Sequence, residues 1–187
     1  MTRPTAEVAA EVVARALAAG PTLGGARLVC LDGPAGSGKS TLAAAVRRAV
    51  PRDVSCRVVH LDDLYPGWDG LRAGVEHVAE HVVAPAARGE SGRYRRYDWH
   101  ADAPGPWVDV PRVDVLVLEG VGSGALAYAD LVTVLVWVEA DDADRLARGI
   151  ARDGVATREQ LARWMADEAP YLAEQRTRER ADLVVRT

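Results

Sequence analysis

Lysine occurs once in these 187 residues, at Lys39, although arginine is plentiful, and asparagine does not occur at all. Arginine stands wherever the two basic residues are interchangeable. A compact ammonium kept at a single position therefore points to work that a planar guanidinium cannot do. Cysteine is scarce: Cys30 sits in the apolar run 28–31 and Cys56 just ahead of another, which suits buried strand thiols better than a disulfide or a metal pair. No apolar run approaches the roughly 18 residues that a membrane-spanning helix needs, and the N-terminus lacks a charged start followed by an apolar signal core. A cytoplasmic location is the expectation. There is no basic excess either, since the formal net charge is -4, which argues against a nucleic acid as the main partner. The absence of repeats and low-complexity tails excludes a solenoid or a disordered arm.

What is present is the composition of an ordinary globular protein, 49% apolar and 27% charged, long enough to bury one core. Residues 1–187 are expected to form one domain. Val8, Val12, Val13 and Leu17 lie at helical spacing within 6–19, ahead of Gly20-Pro21. The apolar run 26–31 leads through a glycine-rich turn into the alanine-rich, helix-favouring stretch 41–50. Further strands are predicted at 57–61, 113–118, 131–138 and 181–185, with helices at 141–152 and 157–179, the latter broken or kinked near Pro170. Run 131–138 is almost wholly apolar and β-branched, as a strand buried on both faces of a parallel sheet should be. This alternation predicts an α/β fold, a doubly wound parallel five-stranded sheet whose ligands bind outside the C-terminal strand ends. Residues 66–112, with a helical stretch at 71–87 and then an aromatic, arginine- and proline-rich segment, interrupt the pattern and read as a substrate-side insertion. Residues 141–179 read as lid and C-terminal helices.

The turn after the first strand carries Gly33, Gly38, Lys39 and Ser40 in the pattern G-x-x-x-x-G-K-[ST], between a strand and a helix. Glycines let consecutive N–H groups point inward, and the following helix adds the positive end of its dipole. The spacing predicts a phosphate cradle of Gly33, Ala35, Gly36, Ser37, Gly38, Lys39, Ser40 and Thr41. Lys39 would reach the β and γ phosphates of ATP, Ser40 would be a ligand of Mg²⁺, and Thr41 would support an α-phosphate oxygen. Switch GTPases, which read guanine with Asn-Lys-x-Asp, are excluded by the lack of asparagine and of a second lysine.

Two strands end in acids. Glu119 closes the third strand, where a residue holding Mg²⁺ is expected. Asp62-Asp63 close the second, and one of them can accept a proton from a substrate hydroxyl; alternation along an extended chain sends only one into the pocket, and the residues alone leave open which. Tyr65, Trp68, Tyr97, Trp99 and Trp107 can stack on a planar substrate or pack the insertion. Arg93, Arg95 and Arg96 offer either an anion-binding set, with Arg93 the substrate-binding candidate, or a solvated face. His60, His77 and His81 read as strand or helix-surface residues; His77 and His81 are four apart, but no third metal ligand accompanies them.

These motifs together resemble the uridine kinase and phosphoribulokinase group of P-loop kinases. The phosphate loop 33–41, Asp62-Asp63-Leu64-Tyr65 beside the family's Asp-x-Phe-Tyr, Tyr97-Asp98-Trp99 beside its Tyr-Asp-Phe, Leu118-Glu119-Gly120 and the arginine-rich stretch 145–153 carry the likeness. The resemblance implies that Asp62 is the catalytic base and a metal-side acid, that Asp62, Tyr65, Tyr97 and Trp99 line the acceptor pocket, and that Arg148 and Arg152 close over the ATP phosphates beside Lys39. Two departures stand out: His100 follows Trp99 directly, off the family's spacing, and Gly149 replaces a lid arginine. The implied activity is transfer of a γ-phosphoryl group from ATP to a hydroxyl of a nucleoside-like metabolite. A sugar, a pantothenate-like acid or an antibiotic as acceptor, or a non-catalytic ATP-binding module, are the alternatives. The partners are then ATP and a small-molecule acceptor, with no nucleic acid and no membrane; a homo-oligomer is left open.

Overall fold

A computed structural model describes residues 3–187. Strands β1 (Arg27–Asp32), β2 (Cys56–His60), β3 (Gly92–Asp98), β4 (Ala103–Val110), β5 (Val115–Glu119), β6 (Val134–Glu139) and β7 (Leu183–Arg186) are interspersed with seven α-helices among the described residues. These are α1 (Thr5–Ala18), α2 (Lys39–Ala49), α3 (Leu71–Val78), α4 (Ala84–Ala87), α5 (Asp142–Asp153), α6 (Arg158–Gln175) and α7 (Thr177–Arg180). Five strands form one parallel sheet in the order β2-β5-β1-β6-β7, as the alternation predicts. No helix of the described residues is long and apolar enough to cross a membrane.

The central strands are apolar on both faces because both faces are covered. Leu28, Cys30, Leu116, Leu118, Leu135 and Trp137 point to the side of α3, α6 and the insertion. Val29, Leu31, Val115, Val117, Val134, Val136 and Val138 alternate to the side of α1 and α2, as the period of two requires. The narrow valine layer lets α1 and α2 lie close with their own small residues, Ala9, Ala16, Ala43 and Ala45. The larger leucines meet Tyr65, Trp164 and Tyr171. Cys30 is buried, Cys56 is half-buried, and both are free thiols.

Three local expectations are corrected. The segment after residue 87 is an antiparallel hairpin, β3 with β4, forming its own two-stranded sheet. Pro104 and Pro106 lie within β4 and hide it from a strand pattern, as prolines are tolerated only at such edges; the signal for the turn is Asp98, whose Oδ1 accepts the N–H groups of His100 and Ala101. Helix α6 runs unbroken through Pro170, and the break comes at Arg176, with φ of 50°. The fourth strand of the sheet begins at Val134 rather than 131, because Leu126–Leu131 is a 3-10 turn. The stretch 71–87 is helical as expected, α3 passing through a π turn, Ala79–Val83, into α4.

Leu28 on β1 is fully buried, whereas Leu126 is 48% exposed. Leu28→Ala is expected to lower the unfolding free energy by about 3 kcal/mol, and Leu126→Ala by less than about 0.5 kcal/mol, measured by urea denaturation.

Candidate functional site

The C-terminal edge of the sheet brings β1, β2, β5 and β6 to one place, and the turn between β1 and α2 occupies it. Gly33 is obligatory there: its φ is 139°, and a Cβ would lie 2.1 Å from the Val138 carbonyl oxygen of β6. Three N–H groups of the turn are satisfied within the protein. Gly33 donates to Asp32 Oδ1 at 2.6 Å, Ala35 to Glu168 Oε2 at 2.9 Å and Ser37 to the Pro34 carbonyl at 3.3 Å. Those of Gly36 and Gly38 have no acceptor among the described residues, and the first-turn N–H groups of α2, beginning at Lys39, have no helical acceptor. Lys39, 6% exposed, folds its ammonium back onto the Pro34 carbonyl at 2.8 Å. The result is a ring of unpaired donors around one ammonium, a concavity suited to a polyanion.

Beside it stands Glu119, buried at the end of β5, which accepts from Ser40 Oγ at 3.0 Å and from His60 Nδ1 at 2.5 Å. The carboxylate holds the His60 pKa above its usual value; burial opposes this. A hydroxyl and a carboxylate meeting next to a phosphate cradle are a hard-oxygen pair of the kind Mg²⁺ takes, with phosphate and water oxygens as further ligands. No group of three or more His, Cys, Asp or Glu side chains among the described residues could hold a metal ion. Behind the turn, fully buried Asp32 accepts N–H bonds from Gly33, Gly122 and Gly124, tying the turn to the loop that follows Glu119. Burial raises its pKa, against those three bonds.

Asp62 and Asp63 part company. Asp63 is held by Arg96 Nε at 3.0 Å and by the Tyr94 hydroxyl at 3.4 Å. Asp62 lies near enough to the turn to feel the charges of Lys39 and Glu119. Arg152 approaches it to 3.9 Å, and the crowding of protein around it, with Glu119 adding its charge, raises its pKa while Lys39 and Arg152 oppose. Its side chain is nonetheless 56% exposed, as a group in an open cleft is. Above it Trp99 donates Nε1–H to the Asp62 carbonyl at 2.9 Å. The ring meets Trp68 and Tyr97, each at 5.3 Å between centroids, while the Tyr97 hydroxyl is turned to Asp102.

Two expected site residues lie elsewhere, and a third, Arg148, stays at the turn without reaching Asp62. Tyr65 is 1% exposed, with its hydroxyl on the Val121 carbonyl and its ring on Trp164, so it is a core residue and no stacking surface. Arg93 lies over Trp107 at 4.7 Å; Tyr94 and Arg96 are the β3 side chains that face Asp63, and alternation turns Arg93 to the opposite face. Arg148 does not join Arg152 at Asp62. One helical turn, about 6 Å, separates the two, and Arg148 contacts Thr187 Oγ1 at 2.8 Å and the Gly36 carbonyl at 3.4 Å. Sequence reasoning missed Asp32, His60, Arg145, Trp164 and Glu168. The polar identity of Asp32 and His60 at strand ends, and the arginine-rich stretch that Arg145 opens, were usable signals; Glu168 is brought in by a helix 133 residues away.

A cavity of about 250 Å³ adjoins Gly38 and Thr41, walled by Val8, Leu42, Val138 and Val185 with Arg148 and Thr187 at its rim. A larger one, about 330 Å³, opens at the other end of the sheet around Ser55 and Asp114, away from these groups.

No protein-family model and no curated protein matches the chain. Solved structures do. A candidate uridine kinase from Bacillus stearothermophilus aligns with a TM-score of 0.66 at 19% identity, over 97% of this chain and 97% of that one. A candidate fructose transport system kinase from a Silicibacter species aligns with a TM-score of 0.56 at 25% identity, over 97% of this chain and 98% of the other. The chain is thus similar in structure to uridine kinase-like and other P-loop kinases, and the likeness read from its motifs holds for the fold from end to end.

Gly36 has φ of 76°, and a Cβ there would lie 2.5 Å from the Arg145 carbonyl oxygen. Gly36→Ala is expected to cost about 1–3 kcal/mol of stability from the strained backbone alone, whereas Gly20→Ala, with nothing within 4 Å and no positive φ, should be neutral; chemical denaturation compares the two.

Proposed function

We propose that the chain is an ATP-dependent kinase that transfers the γ-phosphoryl group to a hydroxyl of a small metabolite, with a nucleoside-like acceptor favoured. The observation that carries this reading is the arrangement of Asp62 beside a cradle of unpaired N–H groups and the chain's single ammonium. In this account the β and γ phosphates rest on the N–H groups of Gly36, Gly38, Lys39 and Ser40, with Lys39 leaving the Pro34 carbonyl to meet them. Thr41 takes an α-phosphate oxygen. Ser40 and Glu119 would hold Mg²⁺, which would neutralise charge on the phosphate oxygens. Residues 66–112 act as the substrate-side insertion, and 141–179 as lid and C-terminal helices of a single kinase domain.

Transfer forms a bond from the acceptor oxygen to the γ-phosphorus and breaks that phosphorus's bond to ADP. The acceptor proton goes to Asp62, which must be ionised to receive it. Arg152, next to Asp62, offers its guanidinium to the charge spread over the transferring group. Much of the acceleration then comes from holding the reactants in line. The open aromatic wall of Trp68, Tyr97 and Trp99 supports a planar acceptor. A sugar acceptor is the second reading, favoured by the neighbour named as a fructose system kinase.

Asp62→Asn is expected to keep ATP binding while turnover falls by a factor of about a hundred or more. Because the Asp62 pKa is raised, turnover of the unaltered protein should fall on acidification at a pH above the ordinary aspartate range, as the base takes up its proton. A panel of nucleosides and sugars scored for ADP release over pH checks both; unchanged turnover in the variant places the base elsewhere.

A further inference from the structure

A trans peptide group is planar, so its C=O and N–H point in opposite directions, and no peptide bond among the described residues is cis. Whatever grips a carbonyl of the phosphate turn from outside therefore aims the next N–H inward. The Ala35 carbonyl is gripped by Arg145 Nε at 2.8 Å, and the next N–H is that of Gly36. The Ser37 carbonyl accepts from Thr187 Oγ1 at 3.0 Å, and the next N–H is that of Gly38. These are the two turn donors without a protein acceptor. The converse holds one residue earlier: the Pro34 carbonyl is turned to the Lys39 ammonium, and the Ala35 N–H accordingly points out to Glu168.

We propose that Arg145 and Thr187 are positioning residues that preset the phosphate cradle by holding these two carbonyls, an inference that rests on reading the turn as a phosphate nest. Both grips are themselves braced. Arg145, on α5 and 7% exposed, is clamped by ion pairs to Glu168 and Asp142; Glu168 accepts from Trp164 Nε1 as well. The Thr187 hydroxyl accepts from Arg148, which leaves its hydrogen to the Ser37 carbonyl. Arg148 thus acts on the cradle from behind, through Thr187. Without these grips the Ala35–Gly36 and Ser37–Gly38 peptides are free to rotate, and each phosphate arrival must first reorient them.

The test uses Thr187, which is exposed and whose replacement leaves the core untouched. Thr187→Val removes the hydroxyl and keeps the shape, Thr187→Ser restores the hydroxyl, and inorganic tripolyphosphate and ATP are titrated into each by calorimetry. Tripolyphosphate can fill the cradle alone, whereas ATP also carries a nucleoside that the neighbouring cavity, which Thr187 lines, would be the place to receive. The expected result is that Thr187→Val weakens both ligands by the same factor, about fivefold to tenfold, and Thr187→Ser recovers most of it. Arg145→Gln, if it folds by circular dichroism, should weaken both further; the Thr187 series decides without it. Tripolyphosphate affinity unchanged by Thr187→Val overturns the proposal, as does a loss confined to ATP, which assigns Thr187 to the cavity. Binding of neither ligand by the unaltered protein removes the phosphate reading and this inference with it.

Discussion

The direction of a few peptide groups between Gly33 and Lys39 is the constraint on which the rest of the structure depends. A short turn with buried donors must either pair them internally or offer them to a ligand. Here the carbonyls are taken up by Lys39, Arg145 and Thr187 and part of the N–H set by Asp32, Glu168 and the turn itself. What is left over lies beside Glu119 at the end of β5 and the acids of the turn that follows β2. The buried partners make sense in this light: Asp32 and the Arg145–Glu168 pair are costly to desolvate, and each is spent on backbone atoms of the turn or of the loop beside it.

The sheet serves the same end. With β1 between β5 and β6, the turn leaves from the middle of the C-terminal edge, where Glu119 arrives from one side and the Val138 carbonyl closes in from the other. The close approach of β6 is why Gly33 tolerates no side chain. The two-sided packing of leucines and valines fixes strand positions tightly enough for Ser40 and Glu119 to meet.

Much of this was legible in the residues. The strand–turn–helix around Lys39 stands out because its glycines and lone lysine have a local reason. The parallel sheet follows from apolar runs with acids at their ends. The hairpin was hidden by Pro104 and Pro106. Tyr65 looked like a pocket residue because its motif places it two residues after Asp63, yet the chain turns there and buries the ring on Trp164. Of the braces of the cradle, Glu168 and Thr187 carry no local signal and Arg145 shows only as the start of an arginine-rich stretch, since their role exists only once α5, α6 and β7 have packed against a turn more than a hundred residues earlier. The residues alone likewise gave no sign that Arg96 and Tyr94 from β3 would hold Asp63 and leave Asp62 without such partners.

The central claim, that the leftover donors and one ammonium form a seat for a nucleotide triphosphate, is tested most directly by calorimetric titration of a non-hydrolysable ATP analogue with Mg²⁺ into the protein and into Lys39→Met. The account predicts one saturable site in the former and its loss in the latter. Absence of heat in the unaltered protein, or equal binding by the variant, contradicts it.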